Sequence, residues 1–106
     1  MRGIRILEAA RRDLIAGYRF YEKQAEGIGR YFLDSLYSDI ESLRISAGSH
    51  AVCFDSYHRL LSKRFPWSVY YRVEGGEIRV YAVVDSRRNP DLIKNRLSGI
   101  REPRGY

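Results

Sequence analysis

The residue types most able to do chemistry in this sequence are arginines and tyrosines of its second half. They are Arg64, Arg72, Arg79, Arg87, Arg88, Tyr70 and Tyr81. A guanidinium group stays charged, so it binds carboxylates and phosphates but is a poor proton shuttle. The tyrosines could stack on a nucleic-acid base or contact a partner protein. This set predicts anion recognition, with the arginines together on one common surface for an acidic partner; the alternative is a solvated surface whose arginines pair with nearby carboxylates.

The excess charge of the chain lies in the same half. Residues 1–58 hold 8 Lys/Arg and 8 Asp/Glu, whereas residues 59–106 hold 11 and 5, which accounts for the whole net charge of +6. A surplus on one segment favours an acidic partner, which could be nucleic acid, an acidic protein or an anionic surface. The alternative is that the charge serves solubility alone.

Metal, disulfide and membrane chemistry are poorly supported. Cys53 is the only cysteine, and His50 and His58 are the only histidines, so these residues cannot complete a disulfide or a standard zinc site. No cofactor is expected. Either histidine could supply a base, although a histidine near a loop more often has a structural role. No apolar segment reaches the length of a signal peptide or a membrane span, so we expect one soluble, cytoplasmic domain over residues 1–106.

The first half of the chain predicts a strand followed by two helices. Residues 3–7 alternate apolar and polar side chains, which favours a short N-terminal strand. From Ala9 onward, apolar residues recur every three or four positions, which predicts a helix, and Gly27 and Gly29 interrupt it. The period then resumes as a second helix that should end near residues 46–49. The short break predicts an antiparallel helical hairpin. Residues 47–57 have no clean period and are predicted to form a loop.

The second half predicts a three-stranded antiparallel meander. Its strands are expected at residues 58–65, Trp67–Glu74 and Glu77–Asp85, with Gly75 and Gly76 as a two-residue turn. This turn pairs Glu74 with Glu77 and, continued along both strands, Arg72 with Arg79 and Tyr70 with Tyr81. The resulting apolar face should cover the helices. It consists of Trp67, Val69, Tyr71, Val73, Ile78, Val80, Ala82 and Val84.

The opposite face of the hairpin is predicted to be solvent-exposed. It consists of Ser68, Tyr70, Arg72, Glu74, Glu77, Arg79, Tyr81, Val83 and Asp85. Arg72 opposite Arg79 is unfavourable, and the diagonal carboxylates of Glu74 and Glu77 could relieve part of the repulsion.

A short basic loop and a C-terminal helix follow the meander. Asn89 before Pro90 is a strong helix-start signal, and Gly99 fits the end of the helix. Arg87 and Arg88 therefore lie where the last strand passes into this helix. The predicted fold class is α+β: an N-terminal strand, an antiparallel two-helix hairpin, a three-stranded antiparallel β-meander and a short C-terminal helix.

Four short motifs in this order resemble the RelE/ParE superfamily of toxins from type II toxin–antitoxin systems. They are Ala10-x-x-Asp13-Leu14, Phe32-Leu33-x-x-Leu36, Arg64-Phe65-Pro66-Trp67 leading into Tyr70-Tyr71-Arg72-Val73, and Val80-x-Ala82-Val83 leading into Arg87-Arg88-Asn89-Pro90 and Arg96-Leu97. The resemblance covers roughly residues 4–98. It implies a toxin that stops growth unless a cognate antitoxin, whose C-terminal segment wraps around it, holds it in a hetero-oligomer.

The resemblance leaves the cellular target open between two classes. RelE-like members cut mRNA on the ribosome, and ParE-like members poison DNA gyrase. The nucleases that resemble this chain commonly carry an arginine near the start of the Trp67–Glu74 strand and a histidine or tyrosine after the last strand. Here those sites correspond to Ser68 and to Arg87 or Arg88. Proton transfer is therefore poorly provided for, and the Pro66-Trp67 step favours the ParE-like class.

Three hypotheses remain from the sequence. The first is a gyrase-directed toxin of the ParE type, the second is a ribosome-dependent mRNA endoribonuclease, and the third is a non-toxic nucleic-acid-binding module. Only the second is an enzyme.

Overall fold

A computed structural model describes residues 3–54 and 56–99. The elements are β1 (Gly3–Ile6), α1 (Glu8–Gln24), α2 (Ile28–Glu41), α3 (Leu43–Ser46), β2 (Val52–Cys53), β3 (Tyr57–Leu61), β4 (Trp67–Glu74), β5 (Glu77–Asp85) and α4 (Pro90–Ser98). The expectation of one domain over residues 1–106 extends to residues 1, 2, 55 and 100–106, which lie outside the described part, and it stays a prediction.

The predicted helical pair is present as α1 and α2. The turn between them is held by Glu22, whose carboxylate accepts hydrogen bonds from the backbone N–H groups of Gly27 and Gly29, both at 2.9 Å. These N–H groups have no partner within the helix, so the carboxylate caps α2. The second helix is shorter than predicted: α2 ends at Glu41, and the separate short helix α3 continues the segment.

The sheet has five strands in the order β1-β5-β4-β3-β2 and is mixed. Strands β2 to β5 are antiparallel, whereas β1 pairs in parallel with β5, from Gly3 opposite Glu77 to Ile6 opposite Val80. The prediction of a purely antiparallel sheet was therefore incomplete. The parallel partner of β1 is about 70 residues away in the chain, and such a pairing leaves no local signal. Strand β2 lies in the predicted loop, because two residues are too few to show a period.

The predicted turn and the register next to it are confirmed. Gly75 and Gly76 have φ of 59° and 77°, the left-handed values that a two-residue hairpin of this kind requires. Glu74 pairs with Glu77, and Arg72 pairs with Arg79.

Beyond Tyr71 the predicted register is wrong. A β-bulge shifts the pairing, so that Tyr70 lies opposite Ala82 instead of Tyr81. A one-residue insertion exchanges the faces of the strand that follows it. Val83 therefore packs on the helices, whereas Ala82 and Val84 lie on the opposite face, the reverse of the prediction.

The bulge produces two apolar clusters, one on each face of the sheet. The first lies under α1 and α2 and includes Trp67 and Val80, as predicted. Its buried members are Ala10, Leu14, Phe32, Leu36, Ile40, Leu43, Trp67, Val69, Tyr71, Ile78, Val80 and Val83. The second lies under α4 and comprises Tyr57, Tyr70, Tyr81, Ala82, Val84, Ile93 and Leu97. The face predicted to meet solvent is thus partly covered by the C-terminal helix.

Candidate functional site

The five candidate arginines do not share one platform. Arg72 and Arg79 lie near the β4–β5 turn, which we call the hairpin end. Arg64, Arg87 and Arg88 lie in the loops at the opposite end of the same strands, which we call the basic end. Trp67 and Arg72 are five residues apart on β4, so about 3.3 Å per residue separates the two ends by roughly 16 Å. The expectation of a single cationic surface was wrong, because the strand length places the two groups apart.

Arg72 at the hairpin end is held by aromatic and polar contacts. Its guanidinium carbon lies 4.1 Å from the centroid of the Tyr57 ring and 5.2 Å from that of Tyr81. Nη2 donates to Ser56 Oγ at 2.7 Å, and Nη1 lies 3.8 Å from Glu74 Oε2. Cation–π contacts of this kind stabilise a cation in one position. The Arg72 guanidinium is therefore held in place by the two rings, by Ser56 and by the charge of Glu74.

Arg79 is matched by two carboxylates. Its Nε donates to Glu77 Oε1 at 2.8 Å and its Nη1 to Glu74 Oε1 at 2.9 Å. The Glu77 bond, together with the charge of Glu74, raises the pKa of Arg79. The diagonal pair with Glu74 and the pair with Glu77 on the same strand relieve the Arg72–Arg79 repulsion. The charges of Arg72 and Arg79 are consequently matched by those of Glu74 and Glu77.

Tyr70 and Tyr81 are not available for stacking. Only 2% of Tyr70 and 6% of Tyr81 is exposed, because α4 and its neighbours cover this face. Burial raises the pKa of both phenols, and at Tyr81 the hydrogen bond donated to Glu74 Oε1 at 2.9 Å adds to the rise. The prediction that these rings lie on an open face was wrong, since the bulge and α4 turn them into core residues.

The basic end is built from two adjacent loops. Ser86 N–H donates to the carbonyl of Pro66 at 2.8 Å, which brings the loop of Arg64 beside the loop of Arg87 and Arg88. All three arginines are exposed. Arg87 donates two hydrogen bonds from Nε and Nη2 to Asp85, at 2.9 and 2.6 Å, and this contact holds the pKa of the Asp85 carboxyl below its usual value.

Arg64 and Arg88 are the arginines of this end without an ion pair in the described part of the chain. Neither makes an ion pair within 4.0 Å to an acidic side chain in residues 3–54 or 56–99. The basic end therefore presents positive charge to solvent, and its role in binding an anion stays a prediction.

An aromatic cluster lies next to the basic end. Tyr21 is at its centre, with ring centroids 4.9 Å from Phe65, 5.1 Å from Phe32 and 6.4 Å from Trp67. Trp67 Nε1 donates to the Tyr21 hydroxyl at 3.0 Å, so the polar group of the indole is satisfied. At the border of this cluster Phe20 is 51% exposed. An aromatic surface beside cations is typical of sites that bind partners.

Asp13 has a structural role that the sequence did not predict, although the residue belongs to the first motif. Its Oδ2 accepts from the backbone N–H of Val83 at 2.9 Å, and its two oxygens accept from Arg96 Nη1 and Nη2, both at 2.7 Å. One carboxylate thus joins α1, β5 and α4 beyond the point where β1 stops pairing. The signal was present in the sequence, because Asp13 directly precedes the buried Leu14 in the first motif.

A hollow of about 220 Å³ lies between α1, the end of β5 and α4. Its floor and walls include Ala16, Gly17, Phe20, Trp67 and Val83, and Arg88 and Arg96 lie at its border. The small side chains of α1 at positions 16 and 17 leave this space open. Gly17 also permits close packing, since a Cβ there would lie 2.5 Å from ring carbons of Phe32.

The two histidines meet around Tyr71, near the hairpin end. His50 Nδ1 lies 2.5 Å from the Tyr71 hydroxyl, and the His58 ring stacks on the Tyr71 ring with centroids 5.1 Å apart. Burial, with the charge of His58, lowers the pKa of His50. His58 Nδ1 is 2.9 Å from the carbonyl of His50, and because a carbonyl can only accept, Nδ1 carries the proton. Nε2 of a neutral His58 is then the basic nitrogen.

His58 also borders a shallow hollow of about 350 Å³ with Ser56, Arg72 and Glu74. This hollow brings a titratable imidazole close to a guanidinium and a carboxylate. No group of three or more potential metal ligands occurs among the residues that the structure describes. Within the same part of the chain, no helix is long and apolar enough to cross a membrane.

Comparison with known proteins gives a clear result for the fold alone. No protein-family model and no curated protein matches the chain. Among solved structures, a chain from the chromosomal ParDE toxin–antitoxin system of P. aeruginosa is similar, with a TM-score of 0.74 and 21% sequence identity. The match covers 80% of this chain and 96% of that chain. This chain therefore has the fold of that chain from a ParDE system.

Proposed function

We propose that this protein is the toxin of a type II toxin–antitoxin system, acting in the cytoplasm and neutralised by a cognate antitoxin in a hetero-oligomer. The observation that carries the proposal is the likeness of the fold, over 80% of this chain, to a chain of a ParDE system. The exposed charge agrees with it, because Arg64 and Arg88, which form no ion pair within the described residues, suit an acidic segment of an antitoxin or an acidic target.

We propose DNA gyrase as the target, as in ParE-like toxins. The support is chemical. The basic end has exposed guanidinium groups, and the serine that replaces the nuclease arginine, Ser68, is buried with its Oγ 2.6 Å from Ser86 Oγ. Neither histidine belongs to this end, since both lie around Tyr71. A surface with cations and, among the described residues, without a histidine is fitted for binding a partner, and it is poorly equipped for general acid–base catalysis.

Within this proposal, Arg64, Arg87 and Arg88 contact the target. The pairs with Glu74 and Glu77 leave Arg72 and Arg79 a mainly structural role at the hairpin end.

The test is induction of the chain in bacterial cells without an antitoxin. Growth should stop, with a DNA-damage response and double-strand breaks. Replacement of Arg64, Arg87 and Arg88 together by Gln should abolish the arrest. A matched triple replacement of the exposed Arg12, Arg19 and Arg30 by Gln, which removes the same net charge, should leave the arrest intact.

Two results would overturn this proposal. If both triple variants behave alike while circular dichroism shows folded protein, the basic end is not the contact surface. If wild-type chain never arrests growth, the third hypothesis, a non-toxic nucleic-acid-binding module, takes its place.

A second candidate function, an mRNA endoribonuclease, is favoured by the hollow that His58 shares with Arg72 and Glu74. Cleavage of this type needs a base for the 2′-hydroxyl and a cation for the crowded phosphorane. His58 Nε2 could accept the proton, and the Arg72 guanidinium could stabilise the negative charge. The same residues would recognise RNA beside the ribosome.

Message integrity separates this candidate from the first. Cleavage predicts truncated messages soon after induction and no double-strand breaks. His58→Gln should abolish the truncation. His50→Gln serves as the matched control, because His50 does not border the hollow. Intact messages during growth arrest would exclude the nuclease.

A further inference from the structure

We propose that the hollow between α1 and α4 receives one bulky apolar side chain of an acidic peptide segment, with a neighbouring carboxylate of that segment bound to Arg88. The inference rests on the proposed function only for the identity of the partner, which would be the antitoxin. The binding itself follows from the shape and charge of the hollow.

The size of the hollow suits one side chain. Its volume is about 220 Å³, whereas a cavity of about 150 Å³ already admits a benzene ring in a protein interior. The space exists because α1 carries Ala16 and Gly17 where the helix passes the end of β5. A larger residue at position 16 would occupy it. Phe20, half exposed, forms a wall that an apolar ligand would cover.

Asp13, Arg96 and the indole of Trp67 beside the hollow already have hydrogen-bond partners within the protein. Asp13 accepts two bonds from Arg96 and one from the Val83 N–H. Trp67 donates its indole N–H to the Tyr21 hydroxyl. A nucleic-acid base would therefore find few partners for its hydrogen-bonding edge, whereas an apolar side chain requires none. This observation favours a peptide over a nucleic acid.

The border of the hollow determines the charge of the ligand. The two carboxylates there are matched, Asp13 by Arg96 and Asp85 by Arg87. Arg88 forms no ion pair within 4.0 Å in the described residues, so it is the cation left to bind a ligand carboxylate. A basic segment would meet repulsion at the same place. The ligand is therefore an apolar residue with Asp or Glu close to it in sequence or on one helix face.

Trp67 provides the assay, because it is the only tryptophan and borders the hollow. The probe is a short acetylated peptide containing one Phe flanked by Asp and Glu, titrated against the full chain while tryptophan emission is recorded. Comparison probes are the same peptide with Ser in place of Phe, a Lys-flanked version, and a single-stranded DNA of equal charge. We expect saturable binding of the first peptide and at least about tenfold weaker binding of the other three.

Variants of the chain locate the binding. Ala16→Phe fills the hollow and Arg88→Glu reverses the border charge. Each should lower the affinity for the Phe peptide by about tenfold or more. Ala9→Phe and Lys94→Glu make the same changes on exposed positions away from the hollow and should leave binding within about twofold. Circular dichroism verifies the fold of all four.

Each remaining outcome decides against the proposal. Absence of binding by the Phe peptide, equal binding of the Ser peptide or the DNA, or equal effects of test and control variants would overturn it. The proposed function fails separately, when the wild-type chain does not arrest growth although the peptide binds as expected. A wild-type chain that arrests growth but ignores the peptide overturns only this inference.

Discussion

Replacement of Asp13 by Ala removes the carboxylate that joins α1, β5 and α4. The Val83 N–H, which belongs to a fully buried residue, and the Arg96 guanidinium then lose their acceptor. Asp13→Ala should therefore destabilise the fold far more than loss of a surface carboxylate.

The magnitude follows from the exposure of each group. A buried N–H without an acceptor costs about 1–3 kcal/mol. The Arg96 side chain is 32% exposed, so water can replace part of its lost pairing, and the salt bridge adds only about 1 kcal/mol. Alanine regains about 0.5 kcal/mol through its helix propensity. The net loss in the free energy of unfolding is about 1.5–3.5 kcal/mol, or roughly 6–28 °C in melting temperature for a domain of this size.

Urea unfolding followed by circular dichroism and by Trp67 fluorescence measures this loss. Asp13→Asn should fall between wild type and Asp13→Ala, because an amide oxygen can still accept from the Val83 N–H. Glu8→Ala is the matched control on the same helix, since Glu8 pairs with Arg11 and Arg12 at the exposed surface. If Asp13→Ala is no less stable than Glu8→Ala, the argument that one carboxylate holds three elements together is refuted.

The other predictions concern the core, a close contact and a histidine. Leu36→Ala and Val80→Ala should lower the free energy of unfolding by about 2–5 and 1–3 kcal/mol in urea titrations, because each leaves a cavity in a fully buried site. Gly17→Ala should lower the free energy of unfolding by about 1–3 kcal/mol despite better helix propensity, since the new Cβ would overlap the Phe32 ring. Thermal melting measures this loss. The folded-state pKa of His50 lies below its ordinary value of 6.5, so protons bind the unfolded chain first and thermal stability should decline as pH falls below about 6.5.

Matched measurements can contradict each of these. Tyr37→Ala, at a half-exposed helix position, should lose much less stability than Leu36→Ala. Gly3→Ala has nothing within 4 Å of its new Cβ and should be nearly neutral. A melting temperature in His50→Gln that declines below pH 6.5 as steeply as in wild type would show that another group titrates there.

Local signals in the sequence were sufficient for the ends of the elements. Gly75 and Gly76 have the positive φ that the hairpin turn needs, and Asn89 accepts from Asp91 N–H at 2.8 Å to begin α4 after its predicted start signal. Both features depend on residues that are close in sequence. They could be predicted because the backbone conformation and the capping bond involve only those residues.

The candidate site was predicted only in part. The sequence identified the arginines and their flanking loops, but it placed Arg72 and Arg79 with Arg87 on one surface. The two histidines around Tyr71 and the hollow beside Arg88 were not foreseen. Each depends on side chains from distant segments, such as the contact of His50 with Tyr71, and no local pattern reports such a contact.

The sequence by itself determined the order of the elements, the glycine turn and the apolar stripes of the two helices. Only the tertiary structure decided which side of β5 is inside, because residues 80–84 are all apolar or aromatic and either register would bury them. With no polar residue to distinguish the faces, packing under both α1 and α4 selected the bulge. The same packing brought Asp13 to Val83 and Arg96, which are about 70 and 80 positions away in the chain. These contacts depend on charge and hydrogen bonding between distant segments, so no local sequence pattern predicts them.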